Sequence, residues 1–122
     1  MTKILVAEDD KFLMKVYQAK LTKAGFEVQI GTDGEEAEKI LQTFMPDIIL
    51  LDLMMPKKDG FEVLKDLKSS VKFKNIPVIV TTNLAQAEDK QKALAMGAKE
   101  YIVKSDIPIQ AIVQKLQSYL KV

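Results

Sequence analysis

The stretch Ile48-Ile49-Leu50-Leu51-Asp52-Leu53-Met54-Met55-Pro56 decides the architecture. Four consecutive aliphatic residues are too few for a helix and read as a strand buried on both faces, the kind that belongs to a parallel sheet covered by helices. Working outward, Ile4-Leu5-Val6-Ala7, Val28 to Ile30, Val78 to Val80 and Tyr101 to Val103 read the same way. Longer segments of helical period separate these blocks. Leu13, Val16, Tyr17, Leu21 and Ala24 share one helical face, and Gly25 stands where a helix end needs positive φ. Ala37, Ile40, Leu41 and Phe44 repeat the pattern as far as Pro46. Phe61, Leu64, Leu67 and Val71 make a third apolar stripe, and Ile109, Ile112, Val113, Leu116 and Leu120 a last one. The segment Ala85 to Met96, closed by Gly97, reads as a helix whose apolar residues crowd its C-terminal half, which leaves its first turns weakly anchored. Strands that are each followed by a helix predict a single (βα)5 doubly wound α/β domain with a five-stranded parallel sheet and right-handed crossovers.

Composition narrows the chemistry. The chain has 122 residues, enough for one domain with its own core, and we read 1–122 as that domain with no output domain. It has no cysteine and no histidine, which removes disulfides, zinc sites, thiol nucleophiles and any proton or phosphoryl transfer through an imidazole of its own. Lys and Arg number 18 against 17 Asp and Glu, a net charge of +1 that gives no field for direct nucleic-acid binding. Apolar runs such as Ile48 to Leu51 fall far short of the roughly 18 residues of a transmembrane helix. Met1-Thr2-Lys3 leads straight into the first strand, leaving no room for a signal peptide. The expectation is a cytoplasmic protein without membrane insertion.

In open parallel sheets the functional crevice lies beyond the carboxyl ends of the strands. The first strand runs into Glu8-Asp9-Asp10, the third into Asp52, the fourth into Thr81-Thr82 and the fifth into Lys104. Taken singly, Asp10 reads as a helix cap, Asp52 as a turn carboxylate, Thr82 as a strand-end residue and Lys104 as a solvated side chain. Taken together they read as one site. Crowded at one rim, Glu8, Asp9 and Asp52 repel one another unless a cation relieves them, and a hard divalent ion with oxygen ligands, Mg²⁺ first, suits that need. No glycine-rich phosphate loop follows the first strand, so phosphate chemistry here requires the metal as intermediary.

These motifs resemble the receiver domain of two-component response regulators. The resemblance rests on Ile4 to Asp10, Ile48 to Pro56 with Asp59-Gly60, Pro77 to Thr82, and Gly97 to Lys104, and it spans essentially the whole chain. It implies the flavodoxin-like strand order 2-1-3-4-5. It further implies that Asp52 is the phosphoacceptor, that Glu8, Asp9, Asp52 and the backbone carbonyl of Met54 hold Mg²⁺, and that Lys104 contacts a phosphoryl oxygen. Thr82 is the implied switch hydroxyl and Tyr101 the aromatic that follows it. The implied donor is a histidine kinase or a histidine phosphotransfer protein. The implied output is altered binding of a downstream protein through the fourth helix, fifth strand and fifth helix. On this reading the chain is a phosphorylation-controlled switch rather than an enzyme, apart from phosphotransfer onto itself and slow self-dephosphorylation.

Several positions depart from the common pattern. Ser105 follows Lys104 where the family usually has a proline, often cis, so this loop is either trans and differently shaped or strained. Asn83 stands where a small residue is usual and narrows access to Asp52. Met54 and Leu84 replace polar residues that help orient a hydrolytic water, which predicts a long-lived phosphoryl group. Two other readings compete. An aspartate-nucleophile phosphatase would need a general acid where Met54 stands, and a degenerate receiver acting only as a scaffold would not need Asp9, Asp52, Thr82 and Lys104 together.

Overall fold

In the computed structural model, which describes residues 1–120, β1 (Lys3–Ala7) leads into α1 (Lys11–Lys23), β2 (Glu27–Gly31) and α2 (Gly34–Ile40). Then follow β3 (Ile48–Leu51), α3 (Gly60–Ser69), β4 (Val78–Thr82), α4 (Ala87–Ala95), β5 (Glu100–Val103) and α5 (Ile109–Leu120). The strands are all parallel and lie in the order β2-β1-β3-β4-β5, as the resemblance implies. Alternation along each strand sends side chains to opposite faces of the sheet, and two cores result. Leu5, Ile49, Leu51, Val78 and Val80 pack toward α2, α3 and α4 with Ala37, Val63, Leu64 and Ala93. Ile4, Val6, Ile48, Leu50, Ile79 and Ile102 pack toward α1 and α5 with Tyr17, Leu21, Ile112 and Leu116. Among the described residues no helix is long and apolar enough to cross a membrane.

The first three strand-to-helix turns are set by side-chain caps. Asp10 Oδ1 accepts from the Leu13 N–H at 3.0 Å and Asp59 Oδ1 from the Glu62 N–H at 3.0 Å. Asp33 caps α2 by accepting from the Glu36 N–H, and the Glu36 side chain accepts from the Thr32 N–H just before the cap, each at 2.8 Å. Gly25 and Gly97 have φ of 98° and 107°, the left-handed conformation expected where α1 and α4 end.

Four expectations need correction. The edge strand β2 is not buried on both faces: Glu27 and Gln29 are exposed and only Gly31 is fully buried, since Val28 and Ile30, which alternate with them, are the ones packed against a core. The opposite edge, β5, is half-buried at both ends. The helix containing Ala37 stops at Ile40 rather than running to Pro46, since tight turns from Gln42 N–H to Lys39 and from Thr43 N–H to Ile40 end it. Leu41 and Phe44 still reach the core from that turn. Val71 is not part of the third stripe; it is 85% exposed, because Ser70 adopts an extended conformation and takes the chain off the helix. Phe73 and Ile76 pack against the core instead. As expected, α4 is weakly anchored: Gln86 makes no side-chain cap and Ala93 is its only buried residue.

The turn after β3 needs glycine for space. A Cβ on Gly60 would lie 2.3 Å from the Asp52 carbonyl oxygen and 2.5 Å from the Leu53 Cα, backbone atoms that cannot swing aside. Gly60→Ala is therefore expected to cost about 1–3 kcal/mol through overpacking. Urea unfolding reads this as a lowered midpoint, and an unchanged midpoint would contradict the close approach.

Candidate functional site at the carboxyl ends of the strands

The sheet ladder continues one residue past the strands and fixes the site's backbone. Glu8 N–H donates to the Gly31 carbonyl and Asp52 N–H to the Ala7 carbonyl, both at 3.0 Å, and Lys104 N–H donates to the Thr82 carbonyl at 2.8 Å. Because Ile4 and Val6 face α1 and α5, as do Ile48 and Leu50, alternation puts Glu8 and Asp52 above that same face. Glu8, Asp52, Thr81 and Thr82 are all buried, whereas Asp9 is exposed and Lys104 half-buried.

Lys104 bridges the two buried acids. Its Nζ lies 2.7 Å from Glu8 Oε1 and 2.9 Å from Asp52 Oδ2. The other Glu8 oxygen accepts from the Asp10 N–H at 3.0 Å, and Asp52 Oδ1 accepts from the Met54 N–H at 3.0 Å. Burial pushes the Glu8 carboxyl above its ordinary range, and the hydrogen bonds from Lys104 and the Asp10 N–H only partly counter it. Burial would lower the Lys104 ammonium, but its hydrogen bonds to Glu8 and Asp52 outweigh this and hold it above the usual lysine value. Glu8, Asp9 and Asp52 each place a carboxylate oxygen within 4.8 Å of the others, an oxygen-only donor set that fits a hard divalent cation. The Lys104–Ser105 bond is trans, since the described residues contain no cis peptide, and Lys104 still reaches both acids.

Thr82 and Tyr101 meet on the backbone of Leu84. Thr82 Oγ1 accepts from the Leu84 N–H at 3.3 Å, while the Tyr101 hydroxyl donates to the Leu84 carbonyl at 2.7 Å. The Tyr101 ring is thereby turned inward and buried. At the rim, the Met54 side chain is 54% exposed, Leu84 is half-buried and Asn83 is exposed. The structure thus brings Glu8, Asp9, Asp52 and Lys104 into one cluster, while Thr82 and Tyr101 meet on the Leu84 backbone.

Two features lay outside the sequence reading. Lys58, in the turn after β3, is ion-paired with both Glu38 of α2 and Asp66 of α3 and ties that turn to both helices. Tyr17 was legible only as a core position, yet its hydroxyl is buried without a hydrogen-bond partner among the described residues. A phenol on an otherwise aliphatic stripe was the available signal.

Comparison with known proteins agrees with this geometry. The profile of the response regulator receiver domain family matches residues 4–117, and the chain belongs to that family. A probable transcriptional regulator ycf27 of Cyanidium caldarium is 36% identical over 121 residues, covering 94% of this chain and 47% of that protein. The chain thus spans about half the length of this curated relative. The Mn²⁺-bound form of response regulator Rcp1 superimposes with a TM-score of 0.87 at 32% identity, over 98% of this chain and 94% of that one. The phosphorylated cyanobacterial phytochrome response regulator RcpA does so with a TM-score of 0.87 at 34% identity, over 97% and 92%.

Proposed function

We propose that this receiver domain is a Mg²⁺-dependent switch that accepts a phosphoryl group on Asp52. The observation that carries the reading is the buried bridge from Lys104 to Asp52 and Glu8, with an Asp9 oxygen within reach of both acids. A carboxylate oxygen of Asp52 attacks phosphorus, the bond from phosphorus to the donor's leaving group breaks, and its electron pair departs with that group. The product is an acyl phosphate. Glu8, Asp9, Asp52 and the Met54 carbonyl are the groups that would hold Mg²⁺, which supplies charge neutralisation for the transferred group. Lys104 adds a second positive contact to a phosphoryl oxygen. The names of two structural relatives, one Mn²⁺-bound and one phosphorylated, support the metal and the modification.

The donor histidine must lie outside this chain, which has none, so a histidine kinase or a histidine phosphotransfer protein fills that role. Adding roughly −1.5 to −2 charges beside Thr82 gives its hydroxyl proton a strong acceptor, and drawing the side chain toward it takes Oγ1 away from the Leu84 N–H. Release of that bond disturbs the same Leu84 backbone that holds the Tyr101 hydroxyl, and the change passes to weakly anchored α4, β5 and α5. A downstream protein reads that surface. We take residues 1–122 as one cytoplasmic receiver unit that itself contacts neither DNA nor membrane.

Incubation with Mg²⁺ and acetyl phosphate, read by intact mass, tests the proposal. The expected result is a stoichiometric gain of one phosphoryl group that EDTA abolishes. Continuous release of inorganic phosphate would favour a phosphatase, and no gain at all a scaffold. The modification should also persist. Neither the apolar Met54 side chain nor Leu84 can orient a water for attack on the acyl phosphate. Loss after removal of acetyl phosphate, with Mg²⁺ retained, should take minutes or longer, and a lifetime of seconds would contradict this reading of the rim.

A further inference from the structure

The turn from β3 into α3 is strained and fastened from outside. Lys57 is the one non-glycine among the described residues with a left-handed φ, 67°, and the Lys58 N–H closes a three-residue turn onto the Pro56 carbonyl at 2.8 Å. An L side chain disfavours that conformation, which persists only where the surroundings hold it. Lysine side chains do the holding. Lys58 Nζ lies 2.8 Å from Glu38 Oε1 on α2 and is also paired with Asp66 on α3, while Lys57 Nζ lies 3.8 Å from Oδ2 of Asp33, the cap of α2. These side chains are partly exposed, so their pairing adds little to global stability and its effect is local.

Only one end of this turn has room to give. Toward α3, Asp59 caps the helix, the Gly60 N–H donates to the Leu53 carbonyl at 3.0 Å, and Gly60 is wedged against the backbone of Asp52 and Leu53. Toward β3, the Met54 side chain is exposed and a cavity of about 530 Å³ opens beside Leu53, Met54 and Met55. Strain released at Lys57 therefore reaches the Met54–Met55 peptide. Resting on the reading above, in which the Met54 carbonyl is a Mg²⁺ ligand, we propose that Lys58 is a positioning residue for the metal: its pairing with Glu38 and Asp66 holds the strained turn and so keeps that carbonyl in place. The helices α2 and α3, which supply no ligand, thereby become part of the support of the metal site.

The full chain is titrated with Mg²⁺ alone, and the backbone amide signals of Asp52 and Met54 report the dissociation constant. Lys58→Met is expected to weaken Mg²⁺ binding roughly fivefold, the upper end of what a partly exposed ion pair transmits. The sign of the change discriminates. Removing a positive charge strengthens the binding of a cation if Lys58 acts through its field alone, and a purely structural role leaves the affinity of the folded protein unchanged. Lys58→Arg, which keeps the charge and can pair with both acids, should bind Mg²⁺ as wild type does. Asp66→Asn and Glu35→Gln each remove one exposed acid, but of the two only Asp66 holds Lys58, so the first should weaken binding more than the second. This comparison decides the matter even if Lys58→Met fails to fold. Unchanged or tighter binding by Lys58→Met, no recovery in Lys58→Arg, or equal effects of the two acid variants overturns the inference and leaves the receiver reading standing. A wild type that binds no Mg²⁺ overturns both.

Discussion

Asp52→Asn is expected to abolish phosphoryl uptake from acetyl phosphate, leaving the intact mass unchanged under conditions in which wild type gains one group. The substitution keeps the shape of the side chain and its contact with the Met54 N–H, but an amide oxygen is a far weaker nucleophile than a carboxylate. The variant should still fold. Lys104 retains Glu8 as a partner, and one of three mutually repelling acids has been removed. Circular dichroism beside the mass measurement separates lost chemistry from lost structure. Uptake at another carboxylate in the folded variant would move the acceptor away from Asp52.

Lys104→Met should act on stability as well as on chemistry. Glu8 and Asp52 are almost wholly buried and share the single ammonium, so its removal leaves two close acids with no cation. Breaking one side of a buried ion pair costs about 3–5 kcal/mol, and the urea midpoint should fall accordingly. Mg²⁺ should then restore part of the loss, and more than it adds to wild type, because the carboxylates no longer have Lys104 as a competing partner. Phosphoryl uptake should slow for want of the second positive contact. An unchanged midpoint would mean that the ion pairs contribute nothing, and an equal Mg²⁺ effect in both proteins would separate Lys104 from the metal site.

The buried strands were the most legible part of the fold. Ile48 to Leu51 has no polar residue to expose, so both its faces must be covered and a helix is needed on each side. Reading the edge strand β2 as buried on both faces overlooks Glu27 and Gln29, which alternate with Val28 and Ile30 and mark a strand covered on one face only. Helix ends depended on local turns that periodicity does not see. Ser70 breaks away after α3 although Val71 keeps the apolar spacing, and α2 stops before Pro46 through its own tight turns. At the site, residue identities were readable because strand ends converge by topology, which brings Glu8, Asp52, Thr82 and Lys104 together whatever their separation in sequence. Partners were not readable. Nothing in the order of residues says that Lys104 spans two acids, that Thr82 and Tyr101 share the Leu84 backbone, or that the Tyr17 hydroxyl is left without a partner.

The position of the phosphoryl group can be read chemically. Borohydride reduces an aspartyl phosphate to homoserine and leaves free carboxylates untouched, so peptide mapping after treatment with Mg²⁺, acetyl phosphate and borohydride identifies the acceptor. Homoserine is expected at position 52 alone, absent when Mg²⁺ is chelated. Homoserine at Asp9 or any other aspartate, a reduced glutamate, or no reduced residue in a protein that has gained phosphate would contradict Asp52 as the acceptor.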